Sequence, residues 1–171
     1  MSLSVISREV VLPFVEWKND HMEIEPSIHR TLAITANNST WEFIDIPDSE
    51  RTSEATEEML RRAYAAAYHW ARAEGRTRQN DARAEWLLSR VWRAAGNGEL
   101  ALHYAQRCLA ITEDLGLQDF DLAYAYDAVA RGLAMTGRRD EAATWWQRAM
   151  AVDIANDGDR RQLMADISEA P

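Results

Sequence analysis

Five glycines divide the last two thirds of the chain into segments of nearly equal length. Glycine is common just past the end of a helix, because the backbone there often turns into the left-handed region. No proline interrupts the chain from Glu54 to Ala170. Each interval therefore predicts one amphipathic helix of about four turns. The glycines are Gly75, Gly96, Gly116, Gly137 and Gly158, separated by 21, 20, 21 and 21 residues.

A shift of 41 residues superimposes one pair of these segments on the next. Gln106 and Arg107 recur as Gln147 and Arg148 within a matching apolar pattern. The repeating unit is thus two helices, and short loops between them make neighbouring helices antiparallel. Such hairpins stack, because a single pair cannot bury its apolar face alone. The predicted helices span 55–74, 79–95, 98–115, 119–136, 139–155 and 159–168.

The second repeat resembles the tetratricopeptide repeat family in the spacing of its large and small residues. The period of 41 residues is longer than the usual 34 of that family and fits a longer bacterial variant. The resemblance covers about 54–170 and implies an all-α stack of antiparallel hairpins forming a short superhelix. The residues that carry it are Tyr126, Val129, Ala130, Leu133, Gly137, Ala142, Trp146 and Ala149.

Two regions follow from these patterns. The repeat region is 54–171, in which the last helix, 159–168, closes the stack as a cap. Residues 1–53 hold three of the four prolines and share no repeat with the rest, so we expect an N-terminal arm of mixed short elements. Pro26–Ala36 predicts a short helix ended by Asn37 and Asn38, and Trp41–Pro47 alternates in part like a strand. We expect the arm to pack on the first helical pair or on a second subunit.

The balance of charge excludes some classes of partner. A formal charge of −9 disfavours binding to nucleic acid, which needs a clustered positive surface. No apolar run approaches the roughly 20 residues that cross a bilayer, and the N-terminus lacks a signal-peptide pattern. We therefore expect a cytoplasmic protein that binds neither membranes nor nucleic acid.

Eight residues are candidates for binding a partner. In tetratricopeptide proteins the first helix of each hairpin lines the concave face, where peptides bind, and the resemblance implies the same here. Arginines beside aromatic rings can hold carboxylates through two hydrogen bonds and stack on the rings. The expected partner is an acidic peptide or one with a C-terminal carboxylate; the alternative is a solvated face whose arginines pair with nearby acids. The candidates are Arg83, Trp86, Arg90, Arg93, Tyr124, Asp127, Arg131 and Met135.

The sequence predicts no catalytic residue, metal site or cofactor. No two of its four histidines have the i, i+4 spacing of a helical metal site, and Cys108 takes a small, buried position in the repeat. Trp145 and Trp86 are the aromatic residues best placed to anchor a partner.

The function predicted is a protein–protein interaction adaptor without catalysis. A homodimer is compatible with this function, because the ends of a short stack expose apolar surface. The alternative is a small-ligand receptor or an enzyme with a pocket between the N-terminal arm and the concave face, using His21, His29 or Arg90. A closed polar pocket with histidine beside arginine would favour that alternative.

Overall fold

A computed structural model describes residues 23–171 of the chain. Predictions that concern residues 1–22, including His21, lie outside the described residues. The described part is all-helical, with seven helices and no strand. The helices are α1 (Pro26–Ile44), α2 (Ser53–Trp70), α3 (Arg78–Ala94), α4 (Gly98–Asp114), α5 (Asp119–Met135), α6 (Arg139–Met150) and α7 (Asp157–Asp166).

The helices pack in chain order as a stack of hairpins, as predicted. Each helix from α1 to α5 packs against the next, and α3 also contacts both α1 and α5. The last helix, α7, packs on α5, where Leu163 and Ile167 are buried against Ala123. The first, third, fifth and seventh helices therefore follow one another along one side of the stack.

Three of the five glycines end helices in the predicted way, whereas Gly75 has a positive φ in a turn five residues past the end of α2. Gly96, for example, has φ +77°, and the next residue, Asn97, donates its backbone N–H to the carbonyl of Trp92 at 2.9 Å. The prediction for Gly158 was wrong, because this residue lies in the first turn of α7. Asn156 accepts hydrogen bonds from the backbone N–H groups of Gly158 and Asp159, so this segment begins a helix.

The N-terminal arm contains one long helix where the sequence predicted a short helix and a strand. Helix α1 runs through Asn37 and Asn38, and Trp41–Ile44 is its last turn. Trp41, Phe43 and Ile44 pack on the core that α2 and α3 form. This packing outweighs the weak helix preference of the two asparagines, because tertiary contacts override local propensity. Helix α1 thus pairs with α2 and adds a hairpin to the stack.

Two predicted helices end four to five residues early. Helix α2 ends at Trp70 because the following backbone turns toward α1, where Glu74 donates its N–H to the carbonyl of Pro26 at 2.9 Å. Helix α6 ends at Met150, and the segment after it places Ile154 in the core beneath α7. In the first case a hydrogen bond to α1, and in the second a buried side chain, replaces further helical turns.

Arg51 closes the junction between the first two hairpins. Its side chain is only 4% exposed and donates to the carbonyls of Phe43, Ile44 and Ile46 at the end of α1. It also donates to the carbonyl of Ala94 at the end of α3, at 2.7 Å. These bonds satisfy carbonyls that have no partner inside a helix, and they fix the ends of α1 and α3 side by side.

A pair of histidines joins α1 to α2. We expect this pair to make the folded protein less stable at acidic pH. The Nδ1 atoms of His29 and His69 lie 2.7 Å apart, so at least one ring must be unprotonated at Nδ1. Burial lowers the pKa of His69, and the charges of His29 and Arg72 lower it further. A histidine with a lowered pKa binds fewer protons in the folded state than in the unfolded state. Stability is therefore complete above the unfolded pKa of about 6.5 and falls as the pH drops below it.

Urea unfolding between pH 8 and pH 5 measures this effect. We expect His69→Gln to lose part of the acid-induced decrease that the wild type shows. His103→Gln is the matched control, because His103 is exposed on α4. A decrease of the same size in His69→Gln and the wild type would contradict the prediction.

Candidate functional site

Side chains from α1, α3, α5 and α7 surround a cavity of about 530 Å³, which we call the aromatic cavity. Its position follows from the stack, because these four helices succeed one another on the same side. Part of its floor comes from α4. The lining residues are Asn37, Trp41, Asp45, Ala82, Arg83, Trp86, Arg90, Cys108, Thr112, Phe120, Asp121, Tyr124, Gln162 and Asp166.

Aromatic rings form a continuous wall of this cavity. The Trp86 ring lies 5.8 Å from Trp41 on α1 and 5.3 Å from Tyr124 on α5, measured between ring centroids. Phe120 continues the row at 6.3 Å from Tyr124. Tilted and edge-to-face rings at these distances attract one another, so the wall is rigid and apolar.

Arg90 brings to this wall a positive charge that is in none of the ion pairs of the described residues. Its guanidinium carbon lies 5.7 Å from the Trp41 ring centroid and 5.6 Å from that of Trp86. Its Nε is buried without a hydrogen-bond partner and is the one such side-chain atom among residues 23–171. Burial lowers the pKa of Arg90, which the charge of Asp127 partly opposes. A buried donor without an acceptor is costly to the folded protein, and a carboxylate is the group that a guanidinium binds best.

Apart from Asp45, which is in none of the ion pairs of the described residues, the other charges at the aromatic cavity already have partners. Arg83 donates to both carboxylate oxygens of Asp121, at 2.9 and 3.0 Å, and these bonds raise the pKa of Arg83. The hydroxyl of Tyr124 donates to Asp166 on α7. Burial and this hydrogen bond raise the pKa of Tyr124. Arg90 is therefore the cation of this cavity best able to take a ligand's negative charge.

A second cavity of about 530 Å³, here called the arginine cavity, lies where α1, α3 and α5 end and α6 begins. Arg93 lines it, one helical turn beyond Arg90 on α3. Its lining residues are Ile44, Asp48, Arg51, Arg93, Ala94, Arg131, Ala134, Met135, Arg139 and Pro171.

A buried ion pair on α5 supports this region. Asp127 is 1% exposed and accepts two hydrogen bonds from the Nε of Arg131, at 3.0 and 2.8 Å. Arg131 also donates to the carbonyl of Glu169, at 3.3 Å. Burial lowers the pKa of Arg93 to about 10, and the charges of Arg90 and Arg131 contribute to this decrease. Arg90, Arg93 and Arg131 thus lie near the buried carboxylate of Asp127.

The structure divides the eight predicted residues between the two cavities. Four of them line the aromatic cavity and three line the arginine cavity, while Asp127 is buried in its ion pair. The alternative interpretation, in which nearby acids pair with the arginines, describes two of the four. Arg83 and Arg131 are paired, whereas Arg90 and Arg93 are in none of the ion pairs of the described residues. The aromatic set is Arg83, Trp86, Arg90 and Tyr124, and the arginine set is Arg93, Arg131 and Met135.

The sequence missed the walls that α1 and α7 provide. Trp41 and Asp45 were assigned to a strand, so their place beside Trp86 was not predicted. Asp166 was assigned to the cap without a role at the site. Asp121 lies one turn before Tyr124 on α5, and this spacing is the sequence signal that could have found it.

The three histidines of the described residues, His29, His69 and His103, line neither of the two cavities. His29 lines a separate cavity of about 650 Å³ with Tyr68 and Arg72. Among the described residues, no three histidine, cysteine, aspartate or glutamate side chains are grouped as a metal site would require. The aromatic cavity therefore lacks a histidine beside its arginines in the described chain.

Cys108 lines the aromatic cavity but is 3% exposed. Burial raises the pKa of its thiol to about 12, which leaves almost no thiolate at neutral pH. We expect the folded protein to react with iodoacetamide at least about a hundredfold more slowly than the urea-unfolded protein. Mass spectrometry of alkylated samples measures both rates. Comparable rates in the two states would show that Cys108 is accessible and reactive.

Trp145 lies on a different surface from the aromatic cavity. Its ring packs 5.4 Å from Tyr126, and the guanidinium of Arg148 lies 4.4 Å from its centroid. It lines a shallow cavity between α4, α5 and α6. Of the two tryptophans proposed as anchors, Trp86 alone lies at the aromatic cavity.

Comparison with protein-family models, with curated proteins and with solved structures finds no match to this chain. None of the helices within 23–171 combines the length and apolar character that a bilayer span requires.

Proposed function

We propose that this chain is a tetratricopeptide-like, non-catalytic adaptor of the cytoplasm that binds the carboxylate of a partner peptide in the aromatic cavity. The observation that carries the proposal is Arg90, an unpaired guanidinium held over two tryptophan rings. A carboxylate can accept two parallel hydrogen bonds from one guanidinium. The carboxylate of the ligand thereby provides the hydrogen-bond acceptors that Arg90 lacks among the described residues.

The rings around Arg90 favour a peptide whose carboxylate lies next to an apolar or aromatic side chain. Trp41, Trp86 and Phe120 offer ring faces, which bury apolar area at low cost in side-chain entropy. A volume of about 530 Å³ falls in the range of sites that enclose a small molecule. The cavity therefore suits the last one to three residues of a C-terminus.

The chemistry of the lining residues favours binding over catalysis. Asp121 and Asp166 are hydrogen-bonded within the protein, and the thiol of Cys108 is held protonated. General acid–base or nucleophilic catalysis needs a reactive group free to exchange a proton with the substrate. The formal charge of −9 also opposes binding to nucleic acid.

Arg90→Gln tests the proposal with a panel of short peptides that end in Phe, Trp, Leu or Asp. We expect the tightest peptide to bind the wild type and to lose at least about tenfold in affinity in the variant, because a charged hydrogen bond is lost. Calorimetric titration measures both affinities, and amidation of the peptide C-terminus should have a similar effect.

Arg148→Gln is the matched control, because Arg148 also lies over a tryptophan ring but outside both cavities. It should bind the peptide as the wild type does. Affinity that neither Arg90→Gln nor amidation changes would contradict the proposal. A homodimer, which the adaptor function allows, would appear in the same samples as a doubled mass in sedimentation.

A small-ligand receptor is the second candidate, and the position of α1 and α7 favours it. These helices contribute Trp41 and Asp166 from opposite ends of the stack, so the cavity has walls on both sides. A free aromatic carboxylate could then replace the peptide end. Benzoate that binds as tightly as the best peptide would favour the receptor over the adaptor.

A further inference from the structure

The arginine cavity carries more positive charge than its own acids neutralise. Four guanidinium groups line it, while Asp48 is the acidic side chain among its lining residues. Arg51 donates to Asp48 and to four backbone carbonyls, so its charge is used to hold helix ends together. Arg131 is paired with Asp127. These two arginines are fixed in place without a ligand.

The other two arginines, Arg93 and Arg139, are left without partners. Neither belongs to an ion pair of the described residues. Arg93 is half-buried on α3, and Arg139 is exposed at the first position of α6. Burial lowers the pKa of Arg93 to about 10, and the charges of Arg90 and Arg131 lower it further. An anion beside Arg93 would offset the repulsion from Arg90 and Arg131.

The charge and shape of the cavity select the kind of anion. Two unpaired guanidiniums match a group with two negative charges, and a phosphomonoester carries about −1.5 to −2 at pH 7. Arginine forks donate in parallel to phosphate oxygens. Ile44, Ala94 and Met135 give the same cavity an apolar side, which a bare ion would leave uncovered.

We propose that the arginine cavity is a binding site for a phosphomonoester. Arg93 and Arg139 donate to the phosphate, and the organic group lies against the apolar side. This site does not rest on the proposed function, because it uses different arginines from the carboxylate site at Arg90.

Calorimetric titration with phenyl phosphate tests the site, with benzenesulfonate as a probe of similar shape and a single charge. We expect saturable binding of one phenyl phosphate per chain and at least about tenfold weaker binding of benzenesulfonate. Arg93→Gln and Arg139→Gln should each weaken phenyl phosphate by about tenfold or more.

Two controls separate this site from its surroundings. Arg161→Gln changes an exposed arginine of α7 outside both cavities and should bind phenyl phosphate as the wild type does. Arg90→Gln should lose carboxylate peptides but keep phenyl phosphate, so the two proposals fail separately. If Arg93→Gln does not fold, Arg139→Gln still decides, because Arg139 is exposed.

Three results would overturn the proposal. These are no saturable binding of phenyl phosphate at millimolar concentration, equal affinity for benzenesulfonate, and unchanged affinity in folded Arg139→Gln. A phosphoserine peptide distinguishes the source of the phosphate once binding is found. Tighter binding of the peptide than of phenyl phosphate supports the site with a phosphorylated protein as its ligand, and weaker binding supports it with a free phosphomonoester.

Discussion

Asp127→Ala should be the most destabilising single change considered for this protein, with a loss of about 3–5 kcal/mol in the free energy of unfolding. The carboxylate of Asp127 is 1% exposed and holds Arg131 through two hydrogen bonds. Removal of one partner of a buried ion pair leaves an uncompensated buried charge, which costs about that much. Here the cost includes Arg90 and Arg93, whose pKa values the charge of Asp127 supports.

Chemical unfolding in urea, followed by circular dichroism, measures the loss. A domain of this size has about 5–15 kcal/mol of stability, so the midpoint of thermal unfolding should also fall by about 10 °C. Glu57→Ala is the matched control, because Glu57 pairs with Arg61 at the same i, i+4 spacing. Both of those side chains are more than 60% exposed, and this change should cost about 0.5 kcal/mol or less.

A double variant separates charge from packing. Asp127→Leu with Arg131→Met replaces the pair by apolar side chains, and such replacements are often neutral or stabilising. We expect this double variant to be more stable than Asp127→Ala. A double variant as unstable as Asp127→Ala would mean that packing around α5 causes the loss, and a small loss in Asp127→Ala itself would contradict the argument.

The sequence predicts the hairpins well because their signals are local. Gly96 and Gly137 take the left-handed backbone that only glycine adopts freely, and their spacing shows in the sequence without any knowledge of packing. The same local reasoning misplaced α1. Asparagine is common at helix ends, so Asn37 and Asn38 predicted an end there. The side chains that keep α1 helical pack on α2 and α3, which lie later in the sequence.

The candidate site could be predicted only in part. Helical spacing placed Trp86 and Arg90 on one face of α3, and the structure confirms that both line one cavity. Helical spacing alone does not show which arginine forms an ion pair with a carboxylate. Arg83 pairs with Asp121, 38 residues away, whereas Arg90 is in none of the ion pairs of the described residues. The separation into two cavities likewise depends on α1 and α7.

Gly132→Val should destabilise the protein by about 3 kcal/mol, because α4 and α5 touch through their backbones at this glycine. A Cβ on Gly132 would lie 2.7 Å from the Cα of Leu102 and 2.9 Å from its N and Cβ atoms. Overpacking of a core costs about 1–3 kcal/mol, and contact with backbone atoms leaves little room to relax. Urea unfolding gives the loss. Ala143→Val, on an exposed position of α6, isolates the lower helix preference of valine, which is below about 1 kcal/mol.

For Gly132→Ala, two effects on the free energy of unfolding have opposite signs. Helix preference alone predicts that alanine stabilises this interior position of α5 by about 1 kcal/mol, whereas the contact with Leu102 predicts a loss. We expect the loss. Truncation of Leu102 to alanine should not rescue either variant, because its Cα, N and Cβ atoms remain. The residue 41 positions before Gly132 is Val91, which is fully buried in α3, so the repeat itself accepts a branched side chain at this register. A stabilising Gly132→Ala would therefore show that α4 and α5 do not approach this closely.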